Sequence, residues 1–526
     1  MINKIIFFIF NLINTNWFIL KIKQRKLHGI DFSNYDFSNI FFDNKVDLQK
    51  IIFSKKYFTK KFYDEKSEVY HSFSWLYIAK KIGGANIVSL SRKHIINWHT
   101  KKYGTYSSVW DIKIIAKRLI YLIYNYDFYA STATIEEKKI FNSIILKHYL
   151  ALKLKIKLEK NKKELPIEIT KAILLFHLIN KYKIKKIISN INLQINFQIN
   201  DNGLHKSGNP CTHCEYINEL YELKNMCLFF GIKTPDLLEN KIPLMTAVLK
   251  NLLHKDQTIA LFNGSNNANL ESIKRINNMS KDIKPKNLLK SEDIISILET
   301  KKMKIFFDIT KPTSKLLSQN LHSGTFSFEM SYDKEKIITN CGSIEKRIGK
   351  KQEFLRYTAA HSTIILSNTN VSELVEKKSY KRIPKMLYFE SSENNNNFYL
   401  EGTHDGYKDN FKKIIKRKLI IPKNKTTIIG EDSIISAKLN SKKIHYDIRF
   451  HLTPVCSCLV TNNHKSVLIK TKLNQSWIFE SESRLTLEDS IYINDGRIIS
   501  KTKQIVLSGY TSPTKIIEKW SISKIK

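Results

Sequence analysis

At 526 residues the chain is too long for one ordinary core and calls for two large domains. Hydrophobic residues make up 42% and aromatics 11%, which excludes a chain that is disordered throughout. The formal net charge of +39 favours polyanionic partners (nucleic acid, anionic lipid or acidic polysaccharide), although Lys is abundant everywhere and a compositional bias competes as its source.

In chain order, residues 1–65 read as a weakly structured or helical N-terminal segment. Its apolar stretch 5–20 is interrupted by Asn11, Asn14, Thr15 and Asn16, is short for a membrane span and lacks a small-residue cleavage site. From 66 the pattern is helical. His71-Ser-Phe-Ser-Trp-Leu opens one helix, and apolar stretches recur at 87–98, 114–126, 140–154, 167–179, 187–199, 216–230 and 244–254. Gly83-Gly84, Pro166, Gly203, Pro210, Gly231 and Pro235 punctuate them. Many helices with few strand signals point to a helical toroid or array. Residues 265–300, rich in Asn, Ser and Lys, read as a linker carrying one short helix. Beyond it, short alternating runs at 304–309, 325–330, 363–366, 466–470 and 505–508 predict an antiparallel sandwich.

Six cysteines in this length make no disulfide framework. Cys211-Thr-His-Cys214 is the one CxxC, and no second pair stands at a spacing that would complete four zinc ligands.

The most informative residues are histidines in ordered segments. They are Asn320-Leu-His-Ser-Gly-Thr-Phe-Ser-Phe-Glu, Arg356-Tyr-Thr-Ala-Ala-His-Ser-Thr, Glu401-Gly-Thr-His-Asp-Gly-Tyr and Arg449-Phe-His-Leu-Thr-Pro. The first two run into β-branched and aromatic stretches, which places His322 and His361 at the mouths of strands. In the helical half, Ile199-Asn-Asp-Asn-Gly-Leu-His-Lys-Ser-Gly-Asn-Pro and Ile259-Ala-Leu-Phe-Asn-Gly precede them. Together, over residues 66 to 510, the series resembles the heparinase II/III-like polysaccharide lyases, in the version common in alphaproteobacteria.

The resemblance implies an α+β multidomain protein, with an (α/α) toroid over 66–300 followed by a β-sandwich over 301–526. It implies eliminative cleavage of an acidic, uronic-acid-containing polysaccharide. The proton removed lies α to a carboxylate, so such a site must neutralise that carboxylate and place a base and an acid at the reacting atoms. On this chain the resemblance points to His205, Asn209, Tyr407 and His322 as catalytic candidates. Asn202, Asn320, Arg356 and His404 are the substrate-binding candidates. His322 and His361 match two metal-ligand histidines, which makes one structural zinc the cofactor to expect. Structural histidines bonded to backbone are the competing reading, and His451 reads as a core or edge-strand residue.

Three departures accompany these matches. Asn320 stands where the lyases carry a catalytic histidine, Asn340 where they carry the metal-binding aspartate, and the stretch 260–264 contains no tyrosine where one is expected. The function to expect is therefore a polysaccharide lyase, or a degenerate glycan-binding or envelope-assembly protein on the same fold. The partner is an acidic polysaccharide and the location the bacterial cell envelope or periplasm, with membrane-surface association compatible. No nucleic-acid reading module is present, and the sequence leaves the oligomeric state open.

Overall fold

The computed structural model describes residues 32, 35–37, 40, 68–101, 108–268, 270–285, 295–309, 317–344, 349–375, 380–438 and 442–525. Most of the expected N-terminal segment, including 5–20, lies outside the described residues. The chain forms two compact units, one of residues Met1–Phe197 with Asn218–Asn240, the other of Gln198–Ile217 with Lys241–Lys526. The fold class is the expected one, helices of a toroid followed by an antiparallel sandwich.

In the first unit the helix Ile167–Ile179 is buried on nearly every side, in keeping with its apolar run Ala172–Phe176. The helices Ile112–Tyr124 and Ile135–Leu158 pack with it. The second of these starts on a capping box, in which Thr134 accepts from the Glu137 backbone and Glu137 accepts from that of Thr134. Arg118 is fully buried, with its guanidinium 3.9 Å from the Trp98 ring and hydrogen-bonded to the carbonyls of His71 and Val109. His71 accepts from the Trp98 indole at 3.1 Å, so the His71-Ser-Phe-Ser-Trp-Leu stretch is part of this unit's core.

Two eight-stranded antiparallel sheets make the sandwich in the second unit. The first runs Ile295–Glu299, Met303–Asp308, Phe328–Tyr332, Glu335–Thr339, His445–Leu452, Ser500–Tyr510, Leu485–Tyr492, with Ile364–Leu366 also pairing on His445–Leu452. The second runs Ser457–Val460, Ser466–Lys470, Ser476–Ser481, Lys515–Lys524, Thr427–Ser436, Lys413–Pro422, Asn397–Tyr407, Met386–Glu393. The stretch read as a linker contains the helix Leu270–Met279 and already the first strand, because Ile295 and Ile297 bury against Phe306. Lys413–Pro422 alternates strictly between buried and half-buried residues, as one-sided packing requires. Phe328, Phe450, Phe479 and Trp520 stack in the core between the sheets. Arg417 is buried among them, with Asp432 at 2.6 Å and the carbonyls of Phe326 and Ser362 at 2.9 and 2.8 Å.

Candidate functional site

The loop ahead of the helix Pro210–Phe229 is folded by its own polar groups. Ile199 and His205 form an antiparallel bridge, and the Asn200 side chain accepts from the Leu204 backbone at 2.7 Å. Gly203 turns with φ +89° against Leu244, where a Cβ would stand 2.6 Å from the Leu244 Cγ. His205 Nδ1 lies 2.8 Å from the Ser207 hydroxyl, and its ring packs on Tyr216 with centroids 4.9 Å apart. Burial, aided by His213 and Lys206, pushes its imidazole down to about 3, so it is neutral.

Asn209 caps that helix. Its Oδ1 accepts from the Thr212 backbone at 2.9 Å, while its Nδ2 donates to the Asn263 carbonyl at 2.7 Å. Asn263, in left-handed backbone at φ +51°, donates from Nδ2 to the Gly208 carbonyl and accepts from the His322 backbone at 3.4 Å. A Cβ on Gly264 would meet Asn320 at 3.2 Å and His322 Nε2 at 3.3 Å. Three segments distant in sequence, 205–209, 262–265 and 320–322, are thereby brought together. Asn263, the residue that joins them, was not among the sequence candidates.

His322 and His361 stand edge to face, ring centroids 5.2 Å apart, and both are buried. Neither ring nitrogen of His361 has a well-formed hydrogen bond, nor has Nδ1 of His322. Burial lowers both imidazoles, His361 to about 4 and His322 further with His361 and Arg356 beside it. Asn340 is occupied: its Oδ1 accepts from the Ser362 backbone at 3.0 Å, and its Nδ2 faces Glu329 at 3.4 Å. Glu329, fully buried, also meets His254 at 2.8 Å, Thr339 at 3.2 Å and Lys336 at 3.3 Å. Burial alone would raise its carboxyl, but Lys336 and His254 hold it at about 2. A carboxylate in Phe328–Tyr332, a strand buried at every position, was the signal that could have singled it out.

Two neutral imidazoles converge, but the nearby carboxylate is bound by Lys336 and His254. Among the described residues, no group of three His, Cys, Asp or Glu side chains stands together. That donor set falls short of a structural zinc site.

Of the remaining candidates, Asn320 and Arg356 border this convergence, while Asn202, His404 and Tyr407 make their contacts elsewhere. Asn202 is half-buried at the turn of the 199–209 loop, and Asn320 is exposed. Arg356 donates to the Leu321 carbonyl at 3.1 Å and pairs with Glu353, so it pins the segment that carries His322. His404 points into the sandwich core, with its ring 4.8 Å from Phe326 and Nδ1 accepting from the Gly406 backbone. Burial, with Arg417 and Arg382 near, lowers it to about 3. Tyr407 is fully buried and its hydroxyl donates to the Thr369 carbonyl at 3.0 Å, with burial raising its pKa. His451 bridges Ser490 at 2.7 Å and the Ala359 carbonyl at 3.0 Å, the structural role its hydrophobic neighbours suggest.

Comparison with known proteins agrees with this fold. Residues 295–521 match the family model described as heparinase II/III-like, C-terminal. A solved heparinase III superposes with TM-score 0.69 at 13% identity, covering 94% of this chain and 87% of that one. The heparan sulfate lyase HepC from Pedobacter heparinus superposes with TM-score 0.59 at 13% identity, covering 96% and 87%. Among curated proteins, FtsZ-localized protein C of Caulobacter vibrioides is 23% identical over 240 residues. That match spans 42% of this chain and 41% of the relative's length. Among the described residues, no helix is long and apolar enough to cross a membrane.

Proposed function

We propose, for a chain that belongs to the heparinase II/III-like family through its residues 295–521, that it binds an acidic polysaccharide of the bacterial envelope without cutting it. Elimination needs groups that exchange protons at the reacting carbons. A carboxamide can donate a hydrogen bond but cannot act as a base or acid at neutral pH. The observation that carries the reading is Asn263. It lies in the stretch where the resemblance places a tyrosine, and both ends of its amide are spent on Gly208 and His322. Asn320 and Asn340 follow the same pattern at the histidine and aspartate positions. Tyr407, the other phenol considered, is committed to the sandwich core. Lys206 and Arg356 flank the convergence and keep it attractive to carboxylates, as the charge of +39 does at long range. The likeness to a protein named for a localisation rather than a reaction agrees with a binding role.

A second reading, eliminative cleavage, draws on one fact: His205 and His322 are held neutral, the form in which a histidine acts as a base. Ultraviolet absorbance and calorimetry on a panel of uronic-acid polysaccharides separate the two. Saturable binding with no growth of the unsaturated-uronate band is expected. A growing band that His205→Ala abolishes would establish the lyase instead.

A further inference from the structure

The outward face of the second sheet carries an open groove of about 860 Å³, lined by residues 396–397, 422–429, 480–482 and 519–523. Its floor comes from neighbouring strands in register, Thr427 opposite Ser523 and Ile429 opposite Ser521. Small hydroxyl residues there leave a trough, and the turns at Asn396–Asn397 and Pro422–Lys425 stand beside it, with Glu480 and Glu482 also lining it.

Two properties set this groove apart. Thr427 and Ser523 bond each other and Asn397 and Ser481 bond neighbours, but Asn396, Asn424, Lys425, Glu480, Glu482, Lys519 and Ser521 make no side-chain hydrogen bond or ion pair among the described residues. The asparagines of the histidine site are bound into the scaffold, so the contrast is internal to the molecule. The face is also balanced in charge on a chain whose excess is strongly positive. Lys425 and Lys519 are matched by Glu480 and Glu482, and Glu431 lies opposite both Lys418 and Lys519 in the sheet. Lys416 pairs with Glu401 at 2.6 Å on the next strands. Cross-strand pairs of this kind cancel the field that would draw a polyanion.

A trough lined by free amides and hydroxyls and by charges of both signs, with Pro422 and Ile429 among them, suits a ligand dense in hydroxyl groups and carrying no net charge. We propose that the groove binds a neutral oligosaccharide, independently of any acidic glycan held at the histidine site. The four strands from Lys413–Pro422 to Ser476–Ser481 span three interstrand steps, roughly 14 Å, the reach of a few sugar units.

The test is calorimetry of the full chain with maltohexaose, cellohexaose and chitohexaose. At least one should bind, with an affinity unchanged between about 50 mM and 0.5 M salt, where binding driven by net charge would weaken. Ser521→Trp, which fills the trough, and the Asn396→Ala/Asn424→Ala pair should each weaken it about tenfold or more. Uronic-acid polysaccharide binding, the readout of the proposed function, should stay unchanged in both, since both lie on exposed turns or the solvent face. Circular dichroism melting confirms that the variants fold. Binding of none of the three sugars, or binding that both variants leave intact, overturns the proposal.

Discussion

Glu329 shows how much of the buried polar network a single residue can organise. Its two carboxylate oxygens gather His254, Lys336, Thr339 and both nitrogens of Asn340, all away from water. Removing its charge would strand the Lys336 ammonium in the interior, and breaking a buried pair in this way costs about 3–5 kcal/mol. Glu329→Gln should therefore lower the unfolding free energy from urea titration by that amount, and a change within error would show the network to be dispensable. The pH dependence has a definite sign. The folded carboxyl sits at about 2, below its value in the unfolded chain, so its contribution is complete above roughly pH 4.3 and disappears as pH falls toward 2. The glutamine variant should thus lose its disadvantage in strong acid.

At the scale of elements, side chains missing from strands matter as much as those present. Gly430 lies directly opposite Trp520 between adjacent strands, and a Cβ there would stand 2.0 Å from the indole. Gly402 and Gly509 face the rings of Phe326 and Tyr446 in the same way. Gly430→Ala should cost about 1–3 kcal/mol through overpacking, measurable by denaturant unfolding, and no loss would mean that the tryptophan can move. The helix Pro210–Phe229 makes a complementary case. Asn209→Ala removes its cap and its tie to Asn263, worth about 1–2 kcal/mol, while Asn209→Asp keeps the cap and should recover much of it. If Asn209 instead contacts substrate, alanine would abolish glycan binding at unchanged melting temperature. The helical and strand periods, and the order of the histidine segments, were legible in the sequence because they are local patterns. How the polar groups are spent was not. Asn209 and Asn263 meet across 54 residues, Asn263 and His322 across 59, and His254 and Glu329 across 75. Tyr407 looked free for chemistry until its strand turned it inward, and no spacing rule says which face of a strand will be covered.

The whole molecule is built around histidines that the fold keeps neutral. His205, His404 and His451 are pushed to about 3, and His213, His254 and His361 to about 4, burial being the largest cause each time. Above roughly pH 6.5 none of them affects stability, because both states are deprotonated. Below it the unfolded chain takes up protons that the folded chain refuses, so stability falls as pH falls until the folded values are reached. By about pH 5 each such group favours unfolding on the order of 1–2 kcal/mol, a sizeable share of the ~5–15 kcal/mol that holds a typical protein folded. Carboxylates protonating lower on the scale add to the self-repulsion of a chain already at +39. Melting followed by circular dichroism should show a steep loss of stability between about pH 6.5 and 4.5, with several protons taken up on unfolding. His404→Gln, which can keep the bond from the Gly406 backbone, should lower that uptake by about one proton. A melting temperature flat down to pH 4 would mean that these imidazoles reach water or a partner, and that the scaffold is less dry than its packing implies.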